Sequence, residues 1–254
     1  MWLLNTRTWE LEEFISHKQA PPYAILSHTW RLGEEVSFRE WQSKPSGIVQ
    51  IKPGFRKISS CCQQAVADGL EWVWIDTCCI DKSSSAELSE AINSMFQWYK
   101  SAKVCYVYLD DISDDIESNL AQCRWITRGW TLQELIAPRE VIFHSKNWHV
   151  LGTRSELSAN LATITGIHKP FLLGRSLRSA SIAQRMSWAA KRATTREEDI
   201  AYCLLGIFDI NMLLLYGEGP KAFRRLQEIL SREYPYDHSL FAWGKIVEEP
   251  LNQL

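Results

Sequence analysis

Three short apolar runs that each stop on polar residues, with helix-patterned segments between them, constrain this chain more than any other feature. Tyr23 to Leu26 follows Pro21-Pro22 and ends on Ser27-His28-Thr29, Trp72-Val73-Trp74-Ile75 ends on Asp76, and Val104 to Leu109 ends on Asp110-Asp111. Between the first two, Ile58, Cys61, Cys62, Ala65 and Val66 recur at i, i+3, i+4, i+7 and i+8, one face of a helix over 55–69 that Gly69 closes. Between the second and third, Ser84-x-x-Glu87 has the form of a capping box, and Leu88, Ala91, Ile92, Met95, Phe96 and Tyr99 continue at helical spacing. The run at 104–109 is apolar on both parities, as a strand covered on both faces is. The order β-α-β-α-β predicts right-handed crossovers and a parallel sheet with helices on both faces. Its ligand chemistry belongs at the carboxyl ends of the strands.

Farther along, an acidic stretch at 113–119 reads as a loop, a short helix over 129–136 is stopped by Pro138, and Val141-Ile142-Phe143 supplies a fourth strand. From Trp148 onward the character changes. Thr153-x-x-Glu156 and Thr194-x-x-Glu197 repeat the capping-box form, and helical runs are expected near 155–163, 182–191, 197–208 and 220–231. At 254 residues, one core with an annex is the natural organisation. The expected division is an α/β domain over 1–150 and an α-helical extension over 151–254, packed on it through Ile200, Leu204 and Phe208.

Composition narrows the function classes. A net charge of -2 without a Lys/Arg stripe gives no field for gathering nucleic acid. No apolar run approaches the roughly 18 residues of a membrane span, and the opening MWLLNTRTWELEEF carries acidic residues where a signal peptide needs an apolar core, so a cytoplasmic location is expected. Seven cysteines, as Cys61-Cys62, Cys78-Cys79 and three singles, fit neither a disulfide framework nor zinc-ligand spacing; reduced thiols and no metal are expected. The twelve tryptophans mostly fall within apolar runs and read as core volume.

Several phrases match one family. YAILSHTW at 23–30, GLEWVWIDTCCIDKSSSAELSEAINSMFQWY at 69–99 and TRGWTLQELIAP at 127–138 resemble the HET domain of fungal heterokaryon incompatibility. MSWAAKRATTREEDIAYCLLGIFDI at 186–210 and LLYGEGPKAFRRLQEI at 214–229 resemble the extension that commonly follows it. HET domains in turn resemble TIR domains: a first strand ending in LSH, an Asp after the second strand, and Trp130 and Glu134 in the WxxxE arrangement echo that order. The resemblance implies a TIR/flavodoxin-like α/β fold and a cell-death effector, self-associated when active. It implies NAD or a related nucleotide as substrate, no cofactor, and a receptor with nucleotide-binding and repeat modules as partner. Glu134 then stands where NAD-cleaving TIR proteins keep their catalytic glutamate.

Trp130 and Glu134 are i and i+4, so they share one face of the short helix. A fixed carboxylate can stabilise the oxocarbenium-like state of nicotinamide–ribose cleavage. The structural reading is that Glu134 pairs with Arg128 or Arg139, or caps a neighbouring loop, while Trp130 only packs. Ser27, His28 and Trp30 follow the first strand and Asp76 ends the second; with Cys79, Arg128 and Trp130 they form the candidate substrate-binding set, each with a structural alternative as a satisfied core or capping residue. A Cys79–His28 nucleophile and base pair has no sequence-local support. Gly217-Glu218-Gly219 lacks the spacing of a phosphate loop. Arg185, Arg192 and Arg196 read as solvated faces or partners of Glu197, Glu198 and Asp199, or else as contacts to a ligand pyrophosphate across the domain junction. Two functions stay open: an enzyme cleaving NAD, and a non-enzymatic module recruiting partners into a death complex.

Overall fold

The computed structural model describes residues 1–45, 47–113 and 120–241, so most of the acidic 113–119 stretch lies outside the described residues. The first half runs β1 (Trp2–Asn5), β2 (Leu11–Glu13), β3 (Tyr23–His28), α1 (Phe38–Gln42), α2 (Gly47–Gln50), α3 (Pro53–Ala67), β4 (Trp72–Trp74), α4 (Ser85–Ser101) and β5 (Val104–Tyr108). The second half runs α5 (Arg124–Thr127), α6 (Thr131–Ile136), β6 (Val141–His144), β7 (Val150–Thr153), α7 (Ser158–Thr165), α8 (Lys169–Leu172), α9 (Ile182–Ser187), α10 (Asp199–Tyr202), α11 (Leu205–Phe208) and α12 (Lys221–Glu233).

The strands form one seven-stranded sheet in the order β2-β1-β4-β3-β5-β6-β7. The inner four are parallel, as the β-α-β-α-β pattern requires: β3 lies between β4 and β5, and β6 follows β5. The outer three pair antiparallel, β1 on β4, β2 on β1 and β7 on β6. The chain leaves β3 for β4 and then crosses back past β3 to β5, so the direction of winding reverses beside β3. With right-handed crossovers this puts α3 on one face and α4 with α6 on the other. β3 is buried at every position, which explains its unbroken apolar run.

Local sequence accounts for several boundaries. Pro53 opens α3 at a position where its missing N–H is no loss, and Gly69, at φ +75°, turns the chain toward β4. Ser84 Oγ accepts from Glu87 N at 3.3 Å, while the Glu87 carboxylate accepts from Asp81 N at 2.8 Å, so only half of the expected box forms. Thr153 and Glu156 do bond reciprocally, but the box closes a turn ahead of α7. At 194 the threonine hydroxyl donates to Arg196 O instead.

The helical run expected over 197–208 is broken into α10 and α11, and the run over 182–191 stops at Ser187. Tertiary packing dictates these breaks. α11 lies against α4, and a Cβ on Gly206 would fall inside Phe96. Leu204 and Phe208 are buried and Ile200 is partly so. Ala193 N donates to Thr127 O at 2.7 Å and Gly129 N to Ala193 O at 2.9 Å, so the extension adds its own backbone ladder to the sheet domain. β7 begins at Val150, which carries the sheet itself into the segment after that point. No helix among the described residues is long and apolar enough to cross a membrane.

Candidate functional site

The parity of β3 divides its polar end between the two faces of the sheet. Ser27 points toward α6, where its hydroxyl donates to Glu134 Oε2 and accepts from Trp125 Nε1 at 2.7 Å. Tyr99 of α4 closes the same side by donating to Leu26 O at 3.0 Å. His28 points the other way, toward α3, where Lys57 Nζ lies 3.4 Å from Nδ1 and donates to Thr29 O at 3.0 Å and Glu35 Oε1 at 2.5 Å. Nε2 of His28 is 3.0 Å from Asp76 Oδ1. Trp30 Nε1 donates to Asp76 Oδ2 at 3.0 Å, and the Lys82 ammonium sits 3.7 Å over the Trp30 ring. Asp110 ends β5 between Thr29 and the guanidinium of Arg31, whose Nε is 2.6 Å away.

Glu134 is 6 % exposed and Ser27 fully buried. Burial pushes the Glu134 carboxyl up to about 8; the Ser27 hydroxyl works against that rise, Asp76 adds to it, and the guanidinium groups of Arg128 and Arg192 pull it back. For Asp76, burial is outweighed by the His28 hydrogen bond and by Lys82 and Arg128, which hold its carboxyl below the usual range. Arg128 therefore acts on both carboxylates. The result is a carboxyl that keeps its proton over much of the neutral range beside one that stays ionised, a pairing that suits acid–base or charge-stabilising chemistry.

The candidate set is thus divided. Ser27 and Glu134 are in contact; His28, Trp30 and Asp76 form a second cluster linked to the first through the field of Arg128. Trp130 donates to Asp199 Oδ2 at 3.1 Å, reaching the helical extension. Cys79 is buried with Ile75 N donating to its sulfur, and it lines a cavity with Met1, Trp2 and Trp98; both ring nitrogens of His28 are engaged elsewhere. Cys61 and Cys62 lie in the core, and burial raises both thiols. Glu134 meets a hydroxyl in place of a direct Arg128 or Arg139 ion pair.

Arg185 and Arg192 are buried, and neither forms a solvated face nor bonds Glu197, Glu198 or Asp199. Arg192 Nη1 donates to Arg128 O and Thr131 Oγ1, which places this residue of the extension under α6. Arg196 stacks 4.5 Å over Tyr216. Lys57 and Trp125 are neighbours of the candidate site that sequence reasoning missed, while Arg192, read there chiefly as a surface charge, is buried beside it. For Lys57 the signal was present: it lies one turn before Cys61, inside the apolar stripe of α3.

An α/β domain that gathers its carboxylates at the switch point beside its central strand, sealed by a helical extension, is the class of protein defined by this arrangement. The chain belongs to the heterokaryon-incompatibility (HET) family: residues 23–119 match the family described as heterokaryon incompatibility protein. Residues 221–253 match a domain of unknown function, DUF8212. The vegetative incompatibility protein HET-E-1 of Podospora anserina is 48% identical over 224 residues, 84% of this chain. The chain spans 16% of the length of that relative. No solved structure matches it.

Proposed function

We propose that this chain is the cell-death effector domain of a cytoplasmic heterokaryon-incompatibility system and that, when self-associated, it cleaves the nicotinamide–ribose bond of NAD or a related nucleotide. The observation that carries this reading is the contact between Ser27 and Glu134 at the carboxyl end of the central strand, the place where doubly wound sheets bind ligands. It also fits the resemblance to TIR domains, in which Glu134 takes the catalytic position. The nicotinamide ring of NAD is cationic, and its approach favours the ionised form of a carboxyl that burial holds protonated. The carboxylate then stabilises the oxocarbenium-like state, nicotinamide leaves neutral so no general acid is needed, and water adds to the ribose carbon with release of a proton. Ser27 and Glu134 are closed from solvent. In this reading self-association opens that shell, and a receptor with nucleotide-binding and repeat modules, of which this chain is the effector part, drives the association.

The same burial favours a second reading, a non-enzymatic module that recruits partners into a death complex and keeps Glu134 as a core residue. Purified protein incubated with NAD at high concentration or on a crowding surface separates the two. Time-dependent nicotinamide release that Glu134→Gln abolishes supports the enzyme. Killing retained by Glu134→Gln, without nicotinamide release from either protein, supports the recruiting module.

A further inference from the structure

Away from the Ser27–Glu134 contact, the junction between the sheet domain and the extension forms an open cavity of about 660 Å³. Its lining holds six cationic side chains, Lys100, Arg139, Arg154, Arg175, Arg178 and Arg185, against one carboxylate, Asp209. Five separate parts of the chain deliver them. Lys100 ends α4, and Arg139 follows the Pro138 that stops α6. Arg154 follows β7, and its guanidinium donates to Leu135 O at 2.6 Å and Arg139 O at 2.9 Å, holding the last carbonyls of α6. Gly174, at φ +95°, turns the chain after α8 and carries Arg175 to 5.9 Å over the Phe171 ring.

In a protein with a net charge of -2, this concentration of one sign stands out. Carboxylate partners for these charges are scarce. Arg178 bonds Asp209 at 2.7 Å, but among the described residues none of the other five has a carboxylate within ion-pair distance. Arg185 is 2 % exposed; Nη1 donates to Ile207 O at 3.2 Å, and Nε is buried without a partner. Its guanidinium lies 4.7 Å over the Phe208 ring and 5.2 Å over the Tyr234 ring, yet a buried Nε left without an acceptor, beside cations with no carboxylate partner, favours an arriving anion. Phe96, Phe171 and Ile207 give the cavity apolar wall as well.

We propose that this cavity binds a small polyphosphorylated ligand, whose phosphates pair with Lys100, Arg139, Arg175 and Arg185. Guanidinium forks match phosphate oxygens bidentately, and a cleft lined by one sign of charge concentrates the opposite ion. The site is independent of NAD cleavage. It meets the surroundings of Glu134 through α6, whose C-terminal end Arg154 holds at the cavity wall, and through α4, which carries both Tyr99 and Lys100.

Calorimetric titration and thermal unfolding of the 254-residue protein with inorganic tripolyphosphate, inositol hexakisphosphate and ATP test this. Saturable binding that raises Tm is expected. Lys100→Gln/Arg175→Gln, at the exposed rim, should weaken the affinity about ten-fold with the fold intact, while Lys221→Gln/Arg232→Gln on α12 leaves it unchanged. Equal binding of tripolyphosphate and ATP means that phosphates alone are read. Tighter binding of ATP or of inositol hexakisphosphate identifies a nucleotide or an inositol source. Absence of binding by all three, or equal losses in the rim and α12 variants, overturns the proposal.

Discussion

Trp130 Nε1 donates to Asp199 Oδ2 across 69 residues of chain, so the tryptophan one turn before Glu134 is fastened to the helical extension. Tyr216 donates to the other oxygen of the same carboxylate at 2.9 Å. Burial raises the Asp199 carboxyl, and these two donors oppose that rise. Trp130→Phe keeps an aromatic ring, though a smaller one, and removes the donor. It should cost about 1–3 kcal/mol of stability, read by denaturant unfolding, and should speed proteolysis between 193 and 199 more than elsewhere.

Glu134→Gln preserves volume and helix propensity while removing the charge. With NAD cleavage as the activity, nicotinamide release and killing should both vanish, turnover falling far more than binding. Melting temperature, nicotinamide release and killing measured on one set of preparations distinguish this from a stability effect, in which killing falls only with the amount of folded protein.

The titration of the same residue predicts a stability profile. In the unfolded chain Glu134 releases its proton near 4.5; in the folded protein burial holds it to about 8. Between these values the unfolded state binds fewer protons, so this residue makes stability fall as pH rises, and the loss is absent below 4.5. The difference in Tm between Glu134→Gln and the parent should therefore grow in favour of the variant from pH 5 toward pH 8. A difference that does not change with pH would contradict the buried, protonated carboxyl.

Ser27→Ala removes a donor to Glu134 and the acceptor of Trp125 Nε1 together. The stranded indole N–H and carboxyl should cost about 1–3 kcal/mol. Because the Ser27 hydroxyl lowers the Glu134 carboxyl, its loss should also shift the upper end of the pH window to higher values. Thermal unfolding across pH checks both.

Gly206→Ala places a methyl group inside Phe96, where α11 meets α4. Overpacking of this kind costs about 1–3 kcal/mol, equivalent to roughly 2–4 °C of Tm per kcal/mol in a chain of this size. Calorimetry should record a lowered Tm. An unchanged Tm would show that the two helices separate at little cost.

The inner sheet was legible because its strands are buried on both faces, so residues 23–26 and Val104–Tyr108 spell unbroken apolar runs. The edge strands were not. Leu11–Glu13 offers one apolar residue in three, and Val150–Thr153 includes a glycine; each is a strand because a neighbour supplies its ladder. In the site, Ser27, His28 and Asp76 stood out as polar residues closing apolar runs. Arg192 read as a surface charge because its partners, Arg128 O and Thr131 Oγ1, lie 64 and 61 residues away, beyond any local pattern.

The family match opens at residue 23, yet the outer edge of β4 is sealed by β1 through Leu4 opposite Val73 and Asn5 opposite Trp72. A chain cut at Tyr23 would leave Trp72–Trp74 as a bare strand with a row of unused amides and carbonyls, a template on which further copies can stack. The short amino-terminal hairpin is thus the selvedge of this sheet. By covering that margin it keeps the folded domain a discrete particle that does not grow into insoluble ribbon.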